Sequence, residues 1–486
     1  MEERFDLVVI GAGPAGEKGA AQAAYFGKRV ALVERSPVPG GTPASTGGMP
    51  TKTIREAALY LTGFRRREVY GVGLDLPPEI SLDRIRARAE ELVRVTIDTV
   101  QENLDRHGIE LIRGEAHLGT DRSVLVRSEK ERVLRGEVVL IATGSRPFHP
   151  ATVPFDDSDV EDSESILELD RVPDRLVVVG GGPVGCEYAS LYAALGVEVA
   201  LVDAGERLLP FMDPEISDLL AKAFAAMGIR LVLGRGVATI GRQEGELAVT
   251  LADGEVVRPE KVLFAAGRAG NTEGLGLADA GVEVDERGRI VVDHKYRTSA
   301  EGIYAAGDVI GPPALASVSM EQGRVAICHA FRIPFKKTVD PLPPFGVYSI
   351  PEVGMVGMTE EAAAAAGIEY EVGRGWFAQN ARARIAGTTD GLVKLVFRRQ
   401  DRELLGVHVM GDVASELVHI GQAVMHAGGA IDRFIHTTFN VPTYSEAFKY
   451  AAYDGLQRLG GRPRAPDAQA LEASAGEGDE TAATTR

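Results

Sequence analysis

The chain writes one strand–glycine–helix–strand pattern twice, in register, and that repeat limits the fold more than any other feature. In the first copy a β-rich run at 5–10 leads into Gly11-Ala-Gly13-Pro-Ala-Gly16, an alanine-rich helix and a second strand at 29–33 ending at Glu34. In the second, residues 175–179 lead into Gly180-Gly-Gly182-Pro-Val-Gly185, a helix, and a strand at 197–202 ending at Asp203. Gly11 and Gly180, Gly13 and Gly182, Gly16 and Gly185, and Glu34 and Asp203 each stand 169 residues apart. Each part has a physical task. The first glycine makes a tight turn, the second lets backbone approach a pyrophosphate, and the third lets helix pack on strand. The helix N-terminus faces the phosphates, and the terminal acid meets an adenosine ribose. Two such units in register imply two bound dinucleotides.

The repeat also suggests boundaries. A first nucleotide-binding domain is expected over 1–150, closing on a strand and a glycine turn at Ala142-Thr143-Gly144-Ser145. A second is expected over 151–280, closing in the same way at Ala266-Gly267-Arg268. Residues 281–340 carry Tyr304-Ala-Ala-Gly307-Asp308, and 341–460, opening at Pro341-Leu-Pro-Pro, read as a mixed α/β domain. Residues 461–486 hold few large apolar side chains and read as a disordered tail. The fold class is α/β: two Rossmann-like domains and a C-terminal α/β domain.

Composition removes several alternatives. A net charge of −17 argues against nucleic acid or an anionic membrane surface as partner. No apolar run approaches the ~20 residues that span a bilayer. The first residues, Met-Glu-Glu-Arg-Phe-Asp, lack a basic segment and a cleavage site, so a cytoplasmic location is expected. Cys186 and Cys328 are the only cysteines, too few for a disulfide framework or a cysteine metal cage. The nine histidines show no metal-ligand spacing, and no metal is expected.

Residues 40–52, Gly-Gly-Thr-Pro-Ala-Ser-Thr-Gly-Gly-Met-Pro-Thr-Lys, resemble the redox segment of the flavin disulfide reductases, Gly-Gly-Thr-Cys-x-x-x-Gly-Cys-x-Pro-x-Lys. Gly40, Gly41, Thr42, Gly47, Pro50 and Lys52 keep the frame, but the two sulfur positions hold Pro43 and Gly48. Thiol–disulfide exchange needs a thiolate, so this segment cannot perform it. The resemblance runs from about residue 4 to 458. It implies FAD at the first site, held by Gly11, Gly13, Gly16, Glu34, Gly41, Thr42, Thr143, Gly144, Gly307 and Asp308, with Pro14, Ala15, Arg35, Ala116 and Ala316 beside it. Asp308 would hold the ribitol chain, which makes 281–340 the second part of the FAD-binding domain. NAD(H) or NADP(H) is implied at the second site, on Gly180, Gly182, Val184, Gly185, Asp203, Val237 and Gly267. Asp203 suits a free ribose 2′-hydroxyl and repels a 2′-phosphate. Arg207 either offsets that repulsion or is an exposed structural arginine.

The same resemblance makes Lys52 and Glu187 the catalytic pair, the lysine beside the flavin ring and the glutamate its partner. Pro50, Ile54, Ala58 and Leu61 at helical spacing put Lys52 in the first turn of an amphipathic helix. Disulfide reductases also carry a His-Pro-x-x-x-Glu segment. Here it reads Val441-Pro442-Thr-Tyr-Ser-Glu446, so the titrating histidine is replaced by valine. His436, nearby but off the motif position, reads as structural.

The wording of Thr51-Lys52-Thr-Ile-Arg55-Glu56 through Gly63-Phe, Glu161-Asp-Ser163, Gly267-Arg-Ala-Gly-Asn271-Thr and Thr437-Thr-Phe439-Asn440 is similar to the soluble flavin-dependent pyridine nucleotide transhydrogenases. That family's reaction needs no dithiol: NADPH reduces FAD, leaves, and NAD⁺ takes the hydride. Two other readings stay open. One is a diaphorase passing electrons to a quinone or dye, and the other a non-catalytic flavin- and NAD-binding scaffold. The family also implies a homodimer through the C-terminal domain, for which 416–424, Glu-Leu-Val-His-Ile-Gly-Gln-Ala-Val, offers an apolar helix stripe.

Overall fold

The structure, a computed structural model, describes residues 2–62 and 82–460. Gly63 and Phe64, the side chain of Leu61 and the segment 461–486 lie outside the described residues. The chain forms two compact units, Met1–Pro351 and Glu352–Arg486.

In the first unit, strand Glu2–Ile10 lies between Val30–Glu34 and Arg132–Ile141, parallel to both, and Glu110–Arg113 extends the sheet beyond Val30–Glu34. Ile303–Ala305 joins the same sheet beside Val139–Ile141, so the chain returns to it after a long excursion. Both faces of the sheet are buried, and the two-residue period of a strand shows how. Val8, Ile10, Ala31, Val33, Val139 and Ile141 pack into one apolar cluster, while Leu7, Val9, Val30, Leu32 and Leu140 pack into another. Helix Pro14–Tyr25 packs on helix Ala316–Ala330.

The second copy of the repeat builds a parallel sheet in the order Arg230–Val232, Glu198–Val202, Arg175–Val179, Lys261–Phe264, Val160–Glu161. Strands Val237–Gln243, Glu246–Leu251 and Val256–Val257 form an antiparallel sheet, and Ile240, Leu247, Val249 and Leu251 share a core with Val177, Val179 and Val202. A two-stranded ribbon, Ser145–Pro147 with Arg268–Gly270, lies where the chain passes between the two parallel sheets.

The repeat is physical as well as textual. Gly11 and Gly180 turn at φ +103° and +120°, where an L side chain is strained. A Cβ on Gly16 would lie 1.9 Å from Gly11 O, and one on Gly185 would lie 1.8 Å from Gly180 O. Each helix therefore rests directly on the backbone of its own turn.

In the second unit, Glu352–Gly357, Leu404–Gly411, Leu392–Arg398 and Tyr370–Trp376 run antiparallel in that order. Helix Glu446–Leu459 lies on Tyr370–Trp376 because Gly373 and Gly375 have no side chains. A Cβ there would fall 2.0 Å from Ala451 O and 2.1 Å from Ala447 O. The stripe at 416–424 corrects one expectation. It lies on helix Ala414–His426, but Leu417, Val418 and Gly421 are buried on the unit's own sheet, with Gly421 against Val407 and Val418 against Gly354. That part of the stripe is core and not available to a second subunit, whereas Ile420, Ala423 and Val424 of the same stripe are not buried.

Gly185→Ala is expected to lower unfolding stability by at least ~2 kcal/mol, because the added carbon meets backbone that cannot move aside. Gly182, whose Cβ would meet nothing within 4 Å, should tolerate alanine within about 1 kcal/mol. Urea unfolding of the two variants checks both.

Candidate functional site

The ends of the first sheet's central strands open on a cavity of about 630 Å³. Of the residues expected at FAD, Gly11, Gly13, Pro14, Ala15, Glu34, Arg35, Gly41, Thr42, Ala116, Thr143, Gly144, Gly307, Asp308 and Ala316 line it. Gly16 is packed behind the turn, and Lys52 stands off the wall. Val184 and Glu187, from the second nucleotide helix, line the same cavity; Gly180, Gly182, Gly185, Asp203, Val237 and Gly267 are not on its wall. Pro43, Thr46, Gly47 and Gly48 complete one side.

Helices Pro14–Tyr25 and Pro183–Ala194 begin at Gly13 and Gly182, and neither start has a side-chain cap. Their first N–H groups are thus open to an anion. The acids after each second strand repeat atom for atom. Glu34 accepts from Ala12 N at 2.7 Å and Ser36 N at 2.8 Å. Asp203 accepts from Gly181 N at 2.5 Å and Gly205 N at 2.6 Å. Each carboxylate is therefore pinned across its glycine turn, and its remaining lone pairs can take a ribose hydroxyl. Asp308 accepts one hydrogen bond from Ser145 Oγ and one from Ser319 Oγ, both at 3.2 Å. Thr143 Oγ1 donates to Asn271 O at 2.7 Å, and Asn271 Nδ2 donates to Thr143 O at 3.0 Å, which ties the two crossing segments together.

Lys52 lies in the first turn of helix Met49–Thr62, as its spacing predicts. Its Nζ is 2.6 Å from Glu187 Oε2, so the structure brings the two residues expected as a pair into an ion pair. Glu187 Oε1 accepts from Tyr348 N at 2.9 Å. Positions 43 and 48, where the resemblance expects sulfur, are adjacent: a Cβ on Gly48 would lie 2.5 Å from Pro43 O and 2.8 Å from Pro43 Cα. The loop has closed on the space a side chain at 48 would need. Burial first, and then the charges of Glu187 and Asp203, push the Cys186 thiol well above its ordinary range. Burial also raises the Cys328 thiol.

In the second unit Val441 is 60 % exposed, Glu446 opens helix Glu446–Leu459, and His436 is exposed at the end of Asp432–His436. Sequence reasoning missed Ser145, Ser319 and Arg268. Arg268 donates to Ser145 Oγ and O, both at 2.8 Å. Only Ser145, beside Gly144, and Arg268, beside Gly267, carried a local signal. It also missed Tyr348, Ser349 and Ser190, whose partners are far away in sequence.

Residues 5–323 match the model of the pyridine nucleotide-disulphide oxidoreductase family, and 343–452 match that family's dimerisation domain. A soluble pyridine nucleotide transhydrogenase of Mycobacterium tuberculosis is 43% identical over 458 residues, covering 94% of this chain and 98% of the relative. One from Hahella chejuensis is 40% identical over 463 residues, covering 94% and 99%. Among solved structures, LpdA from Mycobacterium tuberculosis superposes with a TM-score of 0.84 at 28% identity, covering 93% of this chain and 99% of that one. The HOCl-induced flavoprotein disulfide reductase RclA from Escherichia coli gives 0.83 at 29%, covering 92% and 99%.

The folded protein is expected to take up no iodoacetamide, and the denatured chain two equivalents, as both thiols are buried. Mass spectrometry counts the adducts. Arsenite, which captures paired thiols, should leave activity unchanged.

Proposed function

We propose that this chain, which belongs to the pyridine nucleotide-disulphide oxidoreductase family, is an FAD-dependent enzyme that transfers hydride between NADPH or NADH and NAD(P)⁺, as a soluble transhydrogenase, and performs no disulfide chemistry. One observation carries the reading. Residues of both nucleotide motifs, with Glu187 backed by Lys52, meet on one cavity whose former sulfur positions are Pro43 and Gly48. FAD, when bound, supplies a two-electron acceptor and donor that one nicotinamide reduces and another reoxidises.

The chain's own residues do the rest. The open helix starts at Gly13 and Gly182 offset the charge of the two pyrophosphates. Glu34 and Asp203 take the adenosine riboses, and Asp308, steadied by Ser145 and Ser319, takes the ribitol chain. Lys52 sets a positive charge near the flavin ring, and Glu187 orients that charge and meets the nicotinamide side. Valine at 441 offers no titrating group, so neither a dithiol nor its proton carrier takes part.

The same reading assigns 1–150 and 281–340 to FAD, 151–280 to the nicotinamide nucleotide and 341–460 to a homodimer interface. The dimer reading is supported by the match to a dimerisation domain and by exposed Val441, Tyr450 and Tyr453 on the second unit. Among the described residues no helix is long and apolar enough to cross a membrane. A cytoplasmic location fits two free, buried cysteines.

Anaerobic reduction by NADPH or by NADH, followed by thio-NAD⁺, tests the function. Flavin should reoxidise as an equal amount of thio-NADH forms. A flavin that thio-NAD⁺ leaves reduced but a quinone reoxidises would make the protein a diaphorase, and no reduction by either donor would make it a scaffold. Asp203→Asn removes a charge beside the ribose. It should raise kcat/KM for NADPH relative to NADH by at least about fivefold, which corresponds to ~1 kcal/mol.

A further inference from the structure

Residues 348–350 run between the two helices that carry the Lys52–Glu187 pair, and each of the three is tied to one of them. Glu187 Oε1 accepts from Tyr348 N at 2.9 Å. Ser349 O accepts from Arg55 Nε at 3.3 Å and Nη2 at 3.0 Å. Ser190 Oγ accepts from Ile350 N at 3.0 Å. Lys52 and Arg55 are three residues apart on one helix face, as are Glu187 and Ser190 on the other. Ser349 is fully buried and Ile350 nearly so, which leaves the strap little freedom.

This anchoring sets where the Tyr348 ring goes. Its centroid lies 5.0 Å from Lys52 Nζ, within reach of a cation–π contact. We propose that Tyr348 is a positioning residue for Lys52: its ring face holds the ammonium in place while Glu187 holds it by charge. A lysine stem is long, and the Lys52 side chain is 29% exposed. A lone ion pair that open to water orients weakly. Here the carboxylate takes one N–H of the ammonium, and the aromatic face attracts the cation while excluding water. The two restraints are also joined, because Glu187 binds Lys52 with one oxygen and the Tyr348 backbone with the other. Ring, carboxylate and ammonium are thus linked in one group.

The inference rests on the flavin reading above, in which Lys52 stands near the ring. Its test is the midpoint potential of FAD in the full-length holoenzyme, read by equilibration with a reference dye so that no nicotinamide turnover enters. Position 348 is changed to Phe and then to phenylalanines of increasing fluorination, which weaken the ring quadrupole at nearly constant shape. Tyr348→Phe should keep the parent's potential. Full fluorination should cost about tenfold in stabilisation of the reduced state, a shift of about 30 mV to more negative potential for a two-electron couple. Tyr348→Leu should match the fluorinated end. In a Lys52→Met background the whole series should be flat. A flat series in the parent, or the same slope without Lys52, overturns the proposal. Failure of the transhydrogenase reading would show separately, as a parent holoenzyme that thio-NAD⁺ does not reoxidise, while the potential series still stood.

Discussion

Everything at the site depends on how closely two helices approach the turns that launch them. Gly16 and Gly185 sit where a methyl group would come within 2 Å of a carbonyl oxygen, so the helix axis can point straight at the space above the strand end. A bulkier residue would lift the helix, and the open N–H groups at Gly13 and Gly182 would no longer converge on a pyrophosphate. Pinning of Glu34 and Asp203 to the amides of Ala12 and Gly181 follows from the same approach, since those amides belong to the turns. The phosphate and ribose binding proposed for these turns are therefore two consequences of one packing constraint.

The cavity then joins parts that are remote in sequence. Its wall draws on the first glycine turn, the 41–48 loop, the Thr143–Gly144 crossing, the Gly307–Asp308 turn and the helix at Val184 and Glu187. The last of these comes from the helix that follows the second glycine turn, whose own Gly180, Gly182 and Asp203 lie off this wall. The Ser145–Pro147 and Arg268–Gly270 ribbon, with the reciprocal Thr143–Asn271 bonds, fixes the crossing between the units. Reciprocal bonds resist rotation better than a single contact, because breaking one leaves a polar group to resolvate while the other still holds.

Local features were legible in the sequence and distant ones were not. Both glycine turns, both acids and the helical placement of Lys52 follow from spacing within some thirty residues, and the structure reproduces them down to matching hydrogen bonds. The Lys52–Glu187 contact spans 135 residues and came only through family resemblance. The strap at 348–350 left no trace, since its bonds to Glu187 and Arg55 span 161 and 294 residues and use main-chain atoms that carry no residue signature. The stripe at 416–424 misled for a different reason. Apolar residues at helical spacing look the same whether they face a partner or a sheet of their own domain, and only Gly354 and Val407 on the facing strands decide it. The antiparallel strands at 237–257 were not read either, as their alternation is broken by Gly241 and by exposed ends.

What the chain lacks and what it keeps divide along the two halves of a flavin reductase's cycle. The positions where the resemblance expects the two sulfurs hold Pro43 and Gly48, where the loop packs too tightly for a side chain at 48, and the one where it expects the imidazole holds Val441. Those groups serve only transfer from flavin to a disulfide. In the proposed function Lys52 and Glu187 serve transfer between nicotinamide and flavin, and the two stand here as an ion pair. Binding a dinucleotide does not require this pair, because in the proposed reading the glycine turns and the pinned acids already meet its phosphates and riboses. A scaffold that merely held FAD and NAD would have no use for this ion pair. The pair makes sense where the charge on the flavin ring changes during the work, which is what the proposed transfer from one nicotinamide to another requires.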